Sequence, residues 1–514
     1  MNLKENNITA YLLLIIFSIF ISFSNSLFQV SIDSGLALSN IIKYPEPFSP
    51  MKYYFFNSWT LTNQLSEILL RIGFSVENSS RFILFLSSFC FSVSSFLIVN
   101  RITQNKLLAI VISVLMLVFQ KNFGDTDYPS LVISNHTYGM MSLALTSLII
   151  SLVLNNFYKL SGFFSTLLIG VHPVIGIWII SIMIFSLIIF NDKKLNYSFL
   201  KGGIYGLFIT LVSLILFFLK SIGTFDFDIE NLNSYMRNWD GHRNMLGIIH
   251  FEYLLKTFIL FIIINIYFYI KDKKTSFFKI FFNMVLILST LIYFLFKLVP
   301  GIFPELIIKA SPTRFIVLHS FIAWPLILSI IYFLISKLKN TKKISIITIS
   351  IILITYSIQH NKNFVNLKNN FFTKMFNKDT DLDTKFFSDL SDLDTTTYFI
   401  TTSQTTHFIH VLGLKPILLD TRSFDFIPYH PYLVDNVYEI LQNVYGVKLN
   451  TPPIKNNPYI PDTFIQKSFE KKLKKEWVLL GKKYNAGYIA VPSDWVINLD
   501  LLKKNNSFAI YEIK

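Results

Sequence analysis

The stretch LSGFFSTLLIGVHPVIGIWIISIMIFSLIIF, residues 160–190, decides how the whole chain is read. A helix needs roughly 20 apolar residues to cross the hydrocarbon core of a bilayer, and this run of about 30 overshoots it. Gly170, His172, Pro173 and Gly176 interrupt it. Proline removes a backbone donor and breaks a helix, so the stretch predicts two shorter helices meeting at His172-Pro173. Irregular backbone at membrane depth must be buried in protein or line a cavity, so His172 either touches a substrate or caps freed carbonyls.

Apolar runs on either side give candidate spans at 10–28, 82–100, 106–120, 138–156, 200–220, 252–270, 277–297, 315–336 and 343–359. With the helix pair, the total is about eleven membrane segments. The lysines and arginines between the spans test that count. Arg101 and Lys106, Lys159, Lys193 to Lys201, Lys271 to Lys274, and Lys337 to Lys343 all fall on one side only if 160–190 counts twice. Basic short loops face the cytoplasm, which puts the N-terminus inside and the C-terminal region outside. The first span lacks an Ala-x-Ala-like cleavage site and reads as a retained anchor.

Composition agrees. Charged residues are 15% of 514 and hydrophobic ones 52%. Soluble globular chains carry ~25% charge, so a disordered chain and an ordinary cytosolic enzyme are excluded. Cys90 is the single cysteine, so there is no internal disulfide. The net charge is +15, and the first 360 residues carry most of it, with 27 basic against 15 acidic side chains. That excess is explained by membrane topology and does not call for nucleic acid. The abundance of Ile, Phe, Asn and Lys fits an AT-rich bacterial genome.

Four regions then face outwards: 29–81, 121–138, 221–250 and 298–314. The first, containing SIDSGLALSNIIKYPEPF, predicts one or two helices along the membrane surface. These loops hold most of the membrane region's acidic residues, and chemistry is sought there. Asp33 lies at the membrane–water boundary, placed either as a general base or as a helix N-cap. Asp125 and Asp127 form a DxD that could share a divalent cation such as Mg or Mn, or simply favour a turn. Trp239-Asp240-Gly241-His242-Arg243 is a polar cluster; Arg243 and His242 could hold a phosphate, or the segment is a solvated turn. Arg314 precedes a span and is read either as a lipid-phosphate ligand or as a snorkelling anchor.

The periodicity changes from about residue 361, so 1–360 is read as the membrane domain and 361–514 as an external α/β domain. TYFITT (397–402), KPILLD (415–420), AGYIAVP (486–492) and SFAIYEI (507–513) read as strands. Helices are expected over 405–413, 431–446 and 462–484, with Gly446 as a stop. There is no glycine-rich phosphate loop, no HExxH and no metal-spaced cysteine set, so this unit is expected to cap or recognise without a catalytic centre of its own.

Together these features resemble the GT-C superfamily of polytopic glycosyltransferases. The resemblance rests on the N-terminal span, the acid in SIDSGLALSNIIKYPEPF, the outer acidic loop, the pair carrying GVHPVIGIW and the external α/β domain. It implies an enzyme that moves a sugar from a polyprenyl-phosphate-type donor to a glycan, lipid or protein acceptor on the outer face of a bacterial inner membrane. It also implies that Asp33 is the catalytic acid, Asp125 and Asp127 bind metal, and Arg243, Arg314 and His242 bind the donor phosphate. The Asp-Glu and Trp-Trp-Asp-like motifs of particular subfamilies are missing, so no subfamily follows. A lipid-linked glycan transporter or flippase is the first competing reading, disfavoured by the absence of internal repeats and of charged span centres. A non-catalytic membrane protein with a partner-binding outer domain is the second.

Overall fold

A computed structural model describes residues 5–25, 28–46, 49–119, 133–240, 251–271, 276–299, 312–336, 385–387, 389–390, 393 and 396–514. The membrane region contains α1 (Glu5–Ser24), α2 (Ser31–Leu38), α3 (Pro50–Asn57), α4 (Leu61–Arg71), α5 (Val76–Thr103), α6 (Lys106–Phe119), α7 (Thr137–Leu154), α8 (Tyr158–Val171), α9 (Pro173–Phe190), α10 (Lys193–Phe218), α11 (Ile229–Asn238), α12 (Phe251–Lys271), α13 (Phe277–Leu298) and α14 (Ser320–Ser336). Among the described residues, seven helices are long and apolar enough to cross a membrane: α5, α7, α9, α10, α12, α13 and the Arg314–Ser336 stretch containing α14. α1, α6 and α8 are apolar but shorter. The expected span at 343–359 lies outside the described residues.

The pattern of exposure fits a lipid solvent. α7 is apolar all round and 94% buried, which makes it the central helix. Ile204, Phe208 and Ile215 of α10 and Ile188 of α9 point outwards instead. A contiguous apolar exterior of this kind suits lipid and not water, and we read the chain as a multi-pass membrane protein. Inside, small residues let the helices approach closely. Ser87, Ser88, Ser94 and Ser95 of α5 are fully buried, and Ser94 Oγ donates to Ser147 O of α7 at 2.7 Å. α8 meets α10 through glycine: a Cβ on Gly202 would lie 1.7 Å from Lys159 O, and one on Gly162 would lie 2.1 Å from Phe199 O.

The 160–190 stretch is a helix pair, as Pro173 predicts. His172 stands between α8 and α9 in extended conformation, and its Nδ1 accepts from Ile175 N–H at 3.5 Å. His172 therefore caps a backbone N–H at the start of α9, where a cap of freed carbonyls was expected. The tip reaches the same face as the surface helices, because a Cβ on Gly170 would strike Leu61 at the start of α4.

The first outer region holds three short helices where one or two were expected. The additional boundaries come from capping: Ser49 Oγ accepts from Lys52 N with Pro50 in the first turn, and Thr60 Oγ1 accepts from Asn63 N.

The C-terminal unit has a four-stranded sheet in the order β1-β2-β4-β3, from β1 (Tyr398–Thr401), β2 (Ala486–Pro492), β3 (Asp500–Lys504) and β4 (Phe508–Glu512). β1 and β2 are parallel and the other pairs antiparallel. Phe399, Ile417, Leu419, Ile489 and Ile510 are all buried. The expected strand at 415–420 is a correction: it makes a single parallel bridge, Phe399 to Ile417. Pro416 has no N–H to extend the ladder, and Asp420 Oδ1 accepts from Arg422 N at 2.9 Å and turns the chain away. The 431–446 helix begins as a 3₁₀ turn (Pro431–Leu433), continues as α15 (Val434–Ile440) and ends in a π turn (Leu441–Tyr445) closed by left-handed Gly446. Residues 462–484 form two helices, α16 (Asp462–Lys471) and α17 (Lys474–Tyr484), because Glu476 Oε2 accepts from Leu473 N and caps the second.

The core of this unit extends into the outer loops. Met51, Tyr53 and Phe55 of α3, Leu232 and Tyr235 of α11, and Trp239 belong to its apolar cluster. Trp239 Nε1 donates to Leu449 O at 2.5 Å. A solvated turn at 239–240 is therefore corrected: Trp239 and Asp240 are both fully buried.

Candidate functional site

The N-terminus of α2 is tied to that of α7. Val30 N donates to Asn135 O at 3.0 Å, Ser31 N donates to Thr137 Oγ1 at 3.2 Å, and Gln29 Nε2 donates to Ser134 O at 2.9 Å. This clamp fixes Asp33 in the first turn of α2. Val30, not Asp33, is the N-cap residue. The Asp33 side chain is 14% exposed, and its Oδ1 is buried without a hydrogen-bond partner. A buried carboxylate oxygen with no donor costs about 1–3 kcal/mol or more, which makes Asp33 a candidate for a functional role.

The C-terminal unit supplies the groups opposite. Arg422 Nη2 lies 3.8 Å from Asp33 Oδ2, too far for a hydrogen bond. The guanidinium is committed to Asp420, donating from Nε at 3.0 Å to each carboxylate oxygen and from Nη2 at 2.6 Å to Oδ2. Burial works against the Arg422 charge, but the carboxylates of Asp420 and Asp33 outweigh it and hold its pKa above the usual value. His410 is fully buried in a π turn (Phe408–Leu412), stacked on Phe55 with centroids 5.1 Å apart. His410 Nε2 lies 3.2 Å from the Asp33 carbonyl and 4.0 Å from Oδ1. His410 Nδ1 lies 3.4 Å from both Tyr44 Oη and the Lys415 carbonyl, so the imidazole bridges α2, Tyr44 and its own turn.

Burial pushes the His407 pKa below its ordinary value, with Arg422 and His410 acting the same way against Asp33 and Asp420. Burial also raises Tyr44 and Tyr54 well above the usual phenol range, helped by Asp33 among other groups. Both phenols are therefore neutral donors at pH 7. Asp425 Oδ1 is a second buried carboxylate oxygen without a partner, and its charge acts on the same Tyr54. The cluster thus presents two orphan carboxylate oxygens, a guanidinium, two imidazoles and two phenols at the seam between α2, α3 and the C-terminal unit.

The residues singled out in the sequence divide. Asp33 is central. Arg314 lies in a 3₁₀ turn (Pro312–Val317), within electrostatic reach of His172, on which His136 also acts. Phe315 stacks on Trp178 at 4.6 Å and anchors that turn. His136 caps α7, the helix clamped to α2, by accepting from Gly139 N at 3.1 Å. Asp125, Asp127, His242 and Arg243 lie outside the described residues. The C-terminal unit, expected to stand apart from the chemistry, contributes Arg422, Asp420, His407 and His410. Sequence reading passed over these four. The available signals were two histidines three apart in TTHFIHVLG and the Asp-x-Arg at the end of KPILLDTR, where a strand-like segment closes.

A divalent cation fits only in part. Asp33 Oδ1 offers one free carboxylate oxygen, but the described residues hold no group of three or more His, Cys, Asp or Glu side chains placed for a metal. Asp125 and Asp127 would have to complete it, so no step is derived through a metal.

Docking of the C-terminal unit has a pH-sensitive element. His430 Nε2 and Ser58 Oγ are 3.1 Å apart, and His430 Nδ1 and Tyr432 Oη are 2.9 Å apart. Burial pushes the His430 pKa down to about 4. The unfolded histidine takes its proton near 6.5, so the stability due to neutral His430 is complete above that pH and is lost as pH falls through 4. Unfolding midpoints measured between pH 7 and 4 should fall for the native chain and fall less for His430→Gln.

No protein-family model matches the sequence, and no curated protein does. Among solved structures, the oligosaccharyltransferase of Archaeoglobus fulgidus in its apo form overlaps 96% of this chain and 70% of its own, at 10% identity and a TM-score of 0.49. The same enzyme in complex with Zn and sulfate overlaps 94% and 68%, at 11% identity and a TM-score of 0.44.

Proposed function

We propose that the protein is a membrane glycosyltransferase that moves a sugar from a polyprenyl-phosphate-type lipid donor to an acceptor hydroxyl, with Asp33 as the general base. The observation that carries this reading is the state of the Asp33 carboxylate: fixed at the N-terminus of α2, buried at Oδ1, unbonded, and 3.8 Å from a guanidinium already satisfied by Asp420. A base for this reaction must share a cavity with cationic groups without being consumed by a direct pair. The acceptor oxygen loses its proton to Asp33 as it attacks the anomeric carbon, and the sugar–phosphate bond breaks on the opposite face. The electrons leave with the phosphate, so the site needs positive charge there more than it needs an acid. Arg422 supplies a positive charge 3.8 Å from Asp33 Oδ2. Arg314, beside His172 at the tip of the helix pair, is positioned to receive the leaving phosphate, with His242 and Arg243 as further candidates. Neutral Tyr44 and Tyr54 are donors for sugar or acceptor oxygens.

The test is transfer by the purified chain in lipid, using lipid-phosphate sugars extracted from host membranes. Arg314→Ala should raise the donor KM by roughly 10- to 100-fold, because a charge-assisted phosphate contact is worth about 1.5–3 kcal/mol. The acceptor KM should be unchanged. An unchanged donor KM would remove Arg314 from the phosphate site.

A further inference from the structure

α4 buries polar side chains beside apolar ones: Thr62, Asn63, Ser66 and Glu67 are buried together with Leu69 and Leu70. Ile68 is 53% exposed, and Ile72, just past the end of the helix, is 66% exposed. Exposed isoleucines beside the end of a membrane-spanning helix suit the lipid interface. α10 begins with Lys193 and Lys194 and spans 26 residues, so Lys220, just past its other end, reaches the opposite boundary on the side of α4. Trp59 Nε1 donates to Ser213 Oγ at 3.0 Å, and Gln64 and Ser213 exchange hydrogen bonds at 2.6 and 2.7 Å, which locks α4 to α10.

Between them lies a cavity of about 260 Å³ lined by Gln64, Glu67, Ile68, Arg71, Leu216 and Lys220. Glu67 is buried, and its Oε1 alone takes both cations: Arg71 Nε at 2.8 Å and Lys220 Nζ in a shorter contact. Arg71 Nη2 also donates to Leu38 O at 3.0 Å. Two cations against one carboxylate leave one positive charge, and the Arg71 and Lys220 side chains remain 49% and 39% exposed. Of the lining, Leu216 is 47% exposed, and Phe218 and Leu219, next to Lys220 in sequence, are 65% and 78% exposed. The volume is below the ~300–1,000 Å³ that encloses a whole drug-sized ligand, so the cavity suits a headgroup whose chains stay outside.

The geometry points to a binding site for the phosphodiester of an anionic glycerophospholipid, held by Arg71 and Lys220 in competition with Glu67, its acyl chains lying along Leu216 and Leu219. Charge complementarity at headgroup depth selects this occupant. The site is separate from the Asp33 cluster, and its role is to seat the outer helices on the bilayer.

The test is lipid-adduct native mass spectrometry on the purified full chain, titrated with phosphatidylglycerol or phosphatidylcholine in detergent. Wild type should retain phosphatidylglycerol in preference to phosphatidylcholine, and the double variant Arg71→Gln, Lys220→Gln should lose that preference by about tenfold or more. Glu67→Gln removes the competitor and should increase phosphatidylglycerol retention several-fold. This second variant decides the matter if the double variant fails to fold, because a purely structural ion triad predicts no gain. Equal retention of the two lipids, no gain in Glu67→Gln, or full displacement of phosphatidylglycerol by millimolar inorganic phosphate would overturn the proposal.

Discussion

Asp33→Asn should reduce transfer by ~10²–10⁴-fold, the usual contribution of a positioned general base, while the protein folds and inserts normally. The amide has the shape of the carboxylate, and Asp33 Oδ1 makes no hydrogen bond that the change would break. Arg422 keeps its bonds to Asp420. The loss should therefore lie in kcat, with KM values little altered. Asp33→Glu carries the base about one methylene too far, and partial activity is expected. The measurement is steady-state transfer by purified variants in lipid, with unfolding midpoints recorded on the same samples. An Asp33→Asn enzyme with wild-type kcat would remove the base from the mechanism.

Arg422→Gln should damage both stability and turnover. It leaves Asp420 without its two-pronged partner and Asp33 without a cation 3.8 Å away. Removing one member of a buried charge pair typically costs about 3–5 kcal/mol. Exposure of 33% at the Arg422 side chain places the expectation at the low end of that range. Arg422→Lys keeps the charge but not the planar fork, so it should recover stability more fully than activity. Denaturant or thermal unfolding in detergent gives the first readout and transfer the second. If Arg422→Gln matched wild type in both, the guanidinium would have no part in either role.

Much of the architecture was legible because the relevant physics is local. Pro173, next to His172 in an over-long apolar run, opens a new helix at its first turn, and the 160–190 pair follows from it. The apolar positions Leu433, Val434, Val437, Ile440, Leu441 and Val444 are all buried, as their helical spacing requires. KPILLD was misread for an equally physical reason: a short buried apolar run has the same signature whether it pairs along its length or at one residue. Trp239 was read as part of an exposed polar turn because its neighbours are polar, yet it is a core residue of a unit that begins more than a hundred positions later.

The site itself was half legible. Asp33 stood out because an acid just past a span at the membrane boundary is unusual. Its partners did not, since Arg422 and His410 are more than 370 positions away, and nothing local marks a pairing across that separation. His410 sits in a π turn that its sequence does not distinguish from an ordinary helix, and Asp420 and Arg422 resemble any charged pair after a strand. Attention to the outer loops singled out Arg243 and Arg314 for the donor phosphate and left Arg422, in a unit read as a cap, unnoticed.

The most direct test of the central claim is the anomeric configuration of the transferred sugar, read by proton NMR on product made from extracted lipid-phosphate sugars by the purified chain in lipid. A single displacement driven by Asp33 as base predicts transfer with inversion, slowed by ~10²–10⁴-fold in Asp33→Asn. Transfer with retained configuration, or no transfer from any lipid-phosphate sugar by a folded wild-type protein, would contradict it.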